Sequence, residues 1–372
     1  MKKNYIAVVA VTFVALGTIF GAGAKADAIV IKDVTGREIK LPHAATKIVL
    51  AEGRQIVALS LIHPQPVSLL AGWLGDFKKN DSQTYALFKA KFPQVDAVPV
   101  LGVGNDGTFP VERAIALLPD VAVLGVSFAP GGKANDIAAQ FEAAGIPVVF
   151  TDFTVNPFDN TVPSLRILGQ VVGRSTEADA FIAFYQAHMK MIADRLAGAV
   201  ERPKLLLESH AGMGECCFSP GRQNIGRFID FAGADSISAS VLPGASGHID
   251  REYIIAKNPD IYIATGGAHL AAVGGLVIGP GYPLDTIRER LREVSRRAGL
   301  AEIKAVQDGN VHGLFHNLLA TPLHILAVEN IAKWAHPALF ADLDPSKSMD
   351  EINRRFLAVP MEGVYWASLD KP

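Results

Sequence analysis

Glu112–Leu124 reads E-R-A-I-A-L-L-P-D-V-A-V-L, and Glu252–Ala264 reads E-Y-I-I-A-K-N-P-D-I-Y-I-A. In both stretches a glutamate opens a short amphipathic helix and a Pro-Asp seven residues later stops it. Apolar, partly β-branched residues then follow as a buried strand. The two copies start about 140 residues apart. That interval is far longer than a solenoid period, so one supersecondary unit has been used twice, in two similar lobes.

Working outward, the amino terminus predicts export. Lys2 and Lys3 precede an apolar run from Tyr5 to Phe20, and Ala24-Lys25-Ala26 offers a small-residue cleavage site that would free Asp27. The only cysteines are Cys216 and Cys217, so a lipid anchor at the cleavage point is not expected. The product should be a soluble periplasmic protein. Losing Lys2, Lys3 and Lys25 takes the formal charge from -2 to -5, which argues against nucleic acid and against a broad lipid-binding face.

Length predicts two domains, because the roughly 345 residues that remain exceed what one hydrophobic core serves. Strand-like runs at Lys47–Ala51, Val67–Leu70, Val121–Leu124 and Pro147–Thr151 alternate with helical segments. A second series follows at Lys204–Glu208, Ile261–Thr265 and Asn310–Leu314. The fold class expected is α/β, with two lobes of mostly parallel sheet. Between them Val162, Leu165, Leu168 and Val172 fall at helical spacing, and Gly173 ends that helix. Thr176 with Asp179 suggests a capping box for a second helix, striped by Ile182, Tyr185, Met189, Ile192 and Leu196. Lobes joined by such a rod should rock rather than swing. The expected division is 1–26 leader, 27–157 first lobe, 158–198 linker, 199–345 second lobe and 346–372 carboxyl-terminal helix and tail.

With these residues in view, the chain resembles the periplasmic solute-binding proteins of the helix-linked class that serve ABC importers of ferric siderophores, haem and cobalamin. The likeness runs from D-V-T-G-R-E-I-K-L-P (Asp33–Pro42) through both Glu/Pro-Asp units and the linker to A-K-W-A-H-P-A-L-F-A-D-L-D-P (Ala332–Pro345). Val311–Pro322 and Val359–Trp366 resemble the iron-complex branch. The resemblance implies a non-enzymatic, monomeric binding protein with no resident cofactor. Its ligand would be a ferric siderophore or similar iron complex, and its partner the ABC permease dimer of the inner membrane. It also implies that Glu112 and Glu252, one per lobe, dock on permease arginines; the structural alternative is a pair of first-turn anions facing helix dipoles.

The ligand is expected in the cleft beyond the carboxyl ends of the parallel strands. The loops there collect Arg54, Trp73, Phe109, Arg222, His248, His269, Tyr282 and His316. Arginines and aromatics suit an anionic chelate with an organic rim. For haem instead, Tyr282, His269 or His316 would ligate iron.

Other motifs point elsewhere. Gly102–Gly107 fits G-x-G-x-x-G, but Phe109-Pro110 intervenes before the helix, so a glycine-rich loop is the better reading. Gly244-Ala245-Ser246-Gly247 falls one residue short of a nucleophile elbow, which leaves an exported hydrolase or chelatase as the rival class without support. Scattered histidines signal no bare zinc or manganese site. Cys216 and Cys217 could join as a vicinal disulfide, pair between molecules or stay free.

Overall fold

The computed structural model describes residues 1, 28–102, 109–126, 133–199 and 201–370. The expected leader beyond Met1, and Val103–Gly107 of the glycine-rich motif, lie outside the described residues. Among those described, no helix is long and apolar enough to cross a membrane.

The chain opens with an antiparallel hairpin, β1 (Ile29–Lys32) and β2 (Glu38–Leu41). A four-stranded parallel sheet follows, made of β3 (Ile48–Leu50), β4 (Leu70–Trp73), β5 (Val121–Gly125) and β6 (Val148–Thr151) in the order β4-β3-β5-β6. Val67–Leu69, expected as strand, belongs to a 3₁₀ turn entered by Pro66, and the strand begins only at Leu70. Proline at the first position presets the turn.

The second half forms β7 (Lys204–Glu208), β8 (Phe218–Pro220), β9 (Asp235–Ser236), β10 (Ser246–His248), β11 (Ile261–Gly266), β12 (Val311–Phe315) and β13 (Trp366–Ser368). Its main sheet runs β13-β12-β11-β7-β9, parallel except for β13. The tail therefore returns as an antiparallel edge strand. On its way it also touches the first half, where Ala358 N–H donates to the Ser60 carbonyl at 2.8 Å.

The duplicated motif has a clear physical task in each sheet. Asp120 accepts from the backbone N–H of Thr46 (2.7 Å) and Lys47 (2.9 Å), just before β3. Asp260 accepts from Lys204 N–H at 3.0 Å, the first residue of β7. Each aspartate thus ties one parallel strand to the entry of its neighbour. Burial works to raise the Asp120 carboxyl, but the Thr46 and Lys47 amides and the Thr46 hydroxyl outweigh it and hold the group below its usual range. The residue before each Pro-Asp turns left-handed, Leu118 at φ 50 and Asn258 at φ 47. That turn ends the helix before the proline.

Two helices connect the halves, Pro157–Val171 and Ser175–Leu196. Gly173 sits at φ +65 between them, a conformation suited to glycine. The second helix, with 22 residues, is about 33 Å long at 1.5 Å per residue. The Thr176–Asp179 capping box is not formed. The helix begins at Ser175 after Arg174, no side chain caps it, and Asp179 faces Arg166 of the preceding helix at 3.7 Å. Of the expected stripe, Ile182, Tyr185 and Ile192 are buried and Met189 and Leu196 half-buried.

The crossing helix is fastened to the second half by a polar seam. Tyr185 OH lies 2.8 Å from His324 Nε2, and His188 Nδ1 lies 2.5 Å from Glu329 Oε1, which Ser348 also approaches at 3.1 Å. Burial pushes the His324 imidazole down to about 3. The unfolded chain takes up that proton near the ordinary value of 6.5, whereas the folded chain resists until about 3. Stability is therefore full above pH 6.5 and declines as pH falls toward 3, by at most about 1.4 kcal/mol per pH unit from this group. Melting temperatures between about pH 6.5 and 5, where carboxylates scarcely titrate, should drop in the parent chain. They should drop less in His324→Gln, and equal slopes would remove His324 from this role.

Candidate functional site

Three adjacent strands of the second sheet, β7, β11 and β12, each deliver a histidine just past their carboxyl ends: His210, His269 and His316. His210 Nδ1 is 2.9 Å from His269 Nε2, and the His210 and His316 rings lie 3.8 Å apart between centroids. Thr265, fully buried in β11, organises the group. Its Oγ1 accepts from His210 N–H at 3.0 Å and lies 2.9 Å from His316 Nδ1. That bond holds His210 at φ 53, an uncommon backbone conformation outside glycine.

The first sheet faces this cluster with Arg54, which follows β3, and with Asp76, Phe77, Asn80 and Asp81, which follow β4. Together with Met213 and Asn317 these residues line a cavity of ≈ 360 Å³. It lies beyond the carboxyl ends of β3 and β4 in one sheet and of β7, β11 and β12 in the other, the side on which open α/β sheets bind ligands.

The electrostatics suit a metal-centred anion. Burial pushes His210 down to about 4, with His269 beside it adding to the effect. Burial also lowers His269, against a weaker opposing pull from the backbone of Asn80. His316 is driven well below its usual range by burial, then by His210, His269 and Arg54. All three imidazoles are therefore neutral at neutral pH. Burial alone would lower Arg54, but the carboxylates of Glu52 and Asp76 hold it above its ordinary value, so a cation persists in the wall. Asp76 is raised by burial against the pull of Arg54 and the Gly53 amide, which donates to it at 2.6 Å. Among the described residues, Arg54 Nε is buried without a hydrogen-bond partner. Unmet polar atoms at a cavity wall are what a ligand satisfies.

His210 Nδ1 and His269 Nε2 stand at the separation of two neighbouring ligands on one metal, since bonds of ~2.1 Å at a right angle place donors ~3 Å apart. The three histidines do not assemble a bare-ion site: among the described residues, the trio of donor atoms within 4.8 Å of one another is Glu208, Cys216 and Cys217.

Of the residues expected in the cleft, Arg54, His269 and His316 line the cavity. The others do not. Trp73 is 1% exposed and packs against Phe77 and Tyr85, because the end of β4 turns it into the core. Phe109 is buried against Phe141 in a second apolar cluster of the first half. Arg222 lines a separate hollow with Lys204, Arg227 and Lys257, toward the amino-terminal end of β7. His248 is exposed on β10, its ring 5.2 Å from that of Phe218. Tyr282 bridges the halves, its OH accepting from Gln83 Nε2 at 3.1 Å, outside the cavity lining. Glu112 and Glu252 are both exposed in the first turns of the helices Val111–Ile115 and Arg251–Lys257.

Sequence reasoning missed His210, Asp76, Asn80, Asp81, Met213 and Thr265. His210 had a signal, since it follows the end of a well-marked strand by two residues. Thr265 had none, for its role depends on two neighbouring strands meeting beside it.

The periplasmic binding protein family model matches residues 73–316. No curated protein sequence matches the chain. Among solved structures, the TroA-like periplasmic binding protein FepB from Veillonella parvula is 25% identical with a TM-score of 0.84, over 92% of this chain and 100% of that one. MolA from Haemophilus influenzae, bound to molybdate, is 17% identical with a TM-score of 0.69, over 90% and 99%. Helicobacter pylori CeuE, in a Ni-His complex, is 18% identical with a TM-score of 0.66, over 90% and 97%.

Proposed function

The chain belongs to the periplasmic binding protein family, and on that premise we propose that it is the solute-binding component of an ABC importer for a small anionic iron chelate of the siderophore kind. The observation that carries this is the neutral His210–His269 pair, 2.9 Å apart, facing the cationic Arg54 across the cavity. A chelate that leaves two neighbouring iron positions open would take one imidazole at each, while its anionic donors face the guanidinium. The metal-centred ligands of MolA and CeuE support cargo of this general chemistry. On this reading Glu112 and Glu252 meet the permease, and the protein is a monomeric binder and not an enzyme.

The test is a titration of the pure protein with ferric complexes of a tetradentate bis-catecholate and of a hexadentate tris-catecholate, with haem and with molybdate. The tetradentate complex should quench tryptophan fluorescence and shift its charge-transfer band. The hexadentate complex, with no open position, should bind at least about tenfold more weakly, a difference of ~1.4 kcal/mol. A Soret shift with haem and no response to either chelate would overturn the reading in favour of a haem carrier.

A further inference from the structure

Directly behind the cavity, a second cluster has no part in the reading above. Glu208, the last residue of β7, is 2% exposed. Its Oε2 accepts from Tyr262 OH at 2.5 Å and from Arg297 Nη2. The loop that leaves it carries His210 and Met213 to the cavity and comes back to Cys216 and Cys217, which are joined to each other by a disulfide. The foot of the loop is pinned by Ser209 N–H to the Phe218 carbonyl at 2.7 Å and by paired bonds between Cys217 and Ile249. Donor atoms of Glu208, Cys216 and Cys217 lie within 4.8 Å of one another.

We propose that reduction of this disulfide creates a dithiol-carboxylate site for a soft divalent cation of the zinc and cadmium class. In the disulfide neither sulfur is a thiolate, so the oxidised protein offers no such site. Cys216 is half-buried and Cys217 fully buried, so a dithiol reductant attacks the Cys216 sulfur and Cys217 leaves as thiolate. The second thiol of the reductant resolves the mixed disulfide. The Cys216–Cys217 bond has then accepted two electrons and two protons, and the reductant departs as a disulfide. The cation displaces the two thiol protons.

Geometry and charge both favour that product. Two thiolates on a tetrahedral cation with bonds of ~2.3 Å stand ~3.8 Å apart, so the two sulfurs separate once their bond is broken, and the Glu208 carboxylate, which already lies within 4.8 Å of both, supplies the third donor. Two thiolates and one carboxylate carry three negative charges, which a divalent cation and Arg297 together neutralise in a buried setting where leftover charge is costly. Arg297 also favours the thiolate form over the thiol.

The experiment takes the full chain, reduces it with dithiothreitol, desalts it under argon and titrates it with Cd²⁺. Reduced protein should bind one Cd²⁺ with an ultraviolet thiolate-to-cadmium charge-transfer band, and unreduced protein should show none. Imidazoles give no such band, so the cavity histidines are silent in it. Cys217→Ser should lose the band. Glu208→Gln should keep both thiols but bind Cd²⁺ more weakly by roughly tenfold or more, since loss of even an outer partner of a metal ligand costs ~10–100-fold. Should Glu208→Gln fail to fold, Glu208→Asp, which draws the carboxylate back by one methylene, replaces it and should weaken binding in the same direction. No band in the reduced parent, a band that survives in Cys217→Ser, or parental affinity in the folded carboxylate variant overturns the proposal.

Discussion

His210→Asn combined with His269→Ala should lower affinity for the tetradentate ferric chelate by about 10²–10⁴-fold, since two contacts to a charged ligand are together worth ~3–6 kcal/mol. Asparagine is the better replacement at position 210 because the backbone there is left-handed, where asparagine is far more tolerant than alanine. With the backbone cost avoided, the free variant should melt close to the parent, and lost affinity then reports the contacts alone. Arg222→Ala serves as the companion, because Arg222 lines a different hollow and should leave affinity unchanged. The pH profile adds an independent readout. Burial pushes His210 down to about 4 and lowers His269 below its ordinary value, so affinity should hold through pH 6.5 and fall only at more acidic pH, where the nitrogens must give up a proton to bind. Parental affinity in the double variant would sink the two-imidazole reading. A fall centred near pH 6.5 would show that at least one decisive imidazole is not buried in the free protein.

The contrast between what was legible and what was not follows from which interactions are local. Lys204–Glu208 could be read as a strand to the residue, because its three consecutive leucines, Leu205–Leu207, lead into a turn and nothing else competes. Both Pro-Asp stops are visible because proline ends helices by its own chemistry. The strand at Leu70–Trp73 was misplaced by three residues because Val67 and Leu69 are buried like strand residues while Pro66 holds them in a 3₁₀ turn. The capping box at Thr176 failed because Asp179 has a partner in Arg166 across the tight turn, a tertiary contact that no window of sequence contains.

The site was harder for the same reason. Arg54, His269 and His316 could be placed because each closely follows a strand end, and strand ends converge on the cleft. Trp73 satisfied the same rule and failed it, since it is the last residue of its strand and still alternates inward, toward Phe77 and Tyr85. Position relative to a strand end selects a loop; which way a side chain then points depends on packing from other elements. Thr265, which bonds both His210 and His316, shows the limit most clearly: alone it is one more buried residue of a strand.

Replacing Glu112 and Glu252 together with alanine should abolish uptake in cells while leaving ligand affinity of the purified protein intact. Both glutamates are exposed, and they occupy the same place in the repeated unit, the second residue of a short helix that precedes a buried strand. Neither lines the cavity. The dipole explanation predicts a different outcome. A first-turn anion stabilises its helix by about 0.3–1 kcal/mol, so its loss would shift melting slightly and leave transport alone. A docking role predicts the reverse, with melting nearly unchanged and transport lost, because removing one partner of a desolvated charge pair costs about 2–5 kcal/mol. Lysine at both positions should be worse than alanine, since repulsion adds to the missing attraction. The repeat itself sharpens the test. Asp120 and Asp260, eight residues further on in each copy, clamp strand entries and are structural, so Asp120→Ala should lower stability and affect transport only through abundance. Normal uptake by the double alanine variant at parental abundance would return both glutamates to the helix dipole and leave the duplication explained by folding alone.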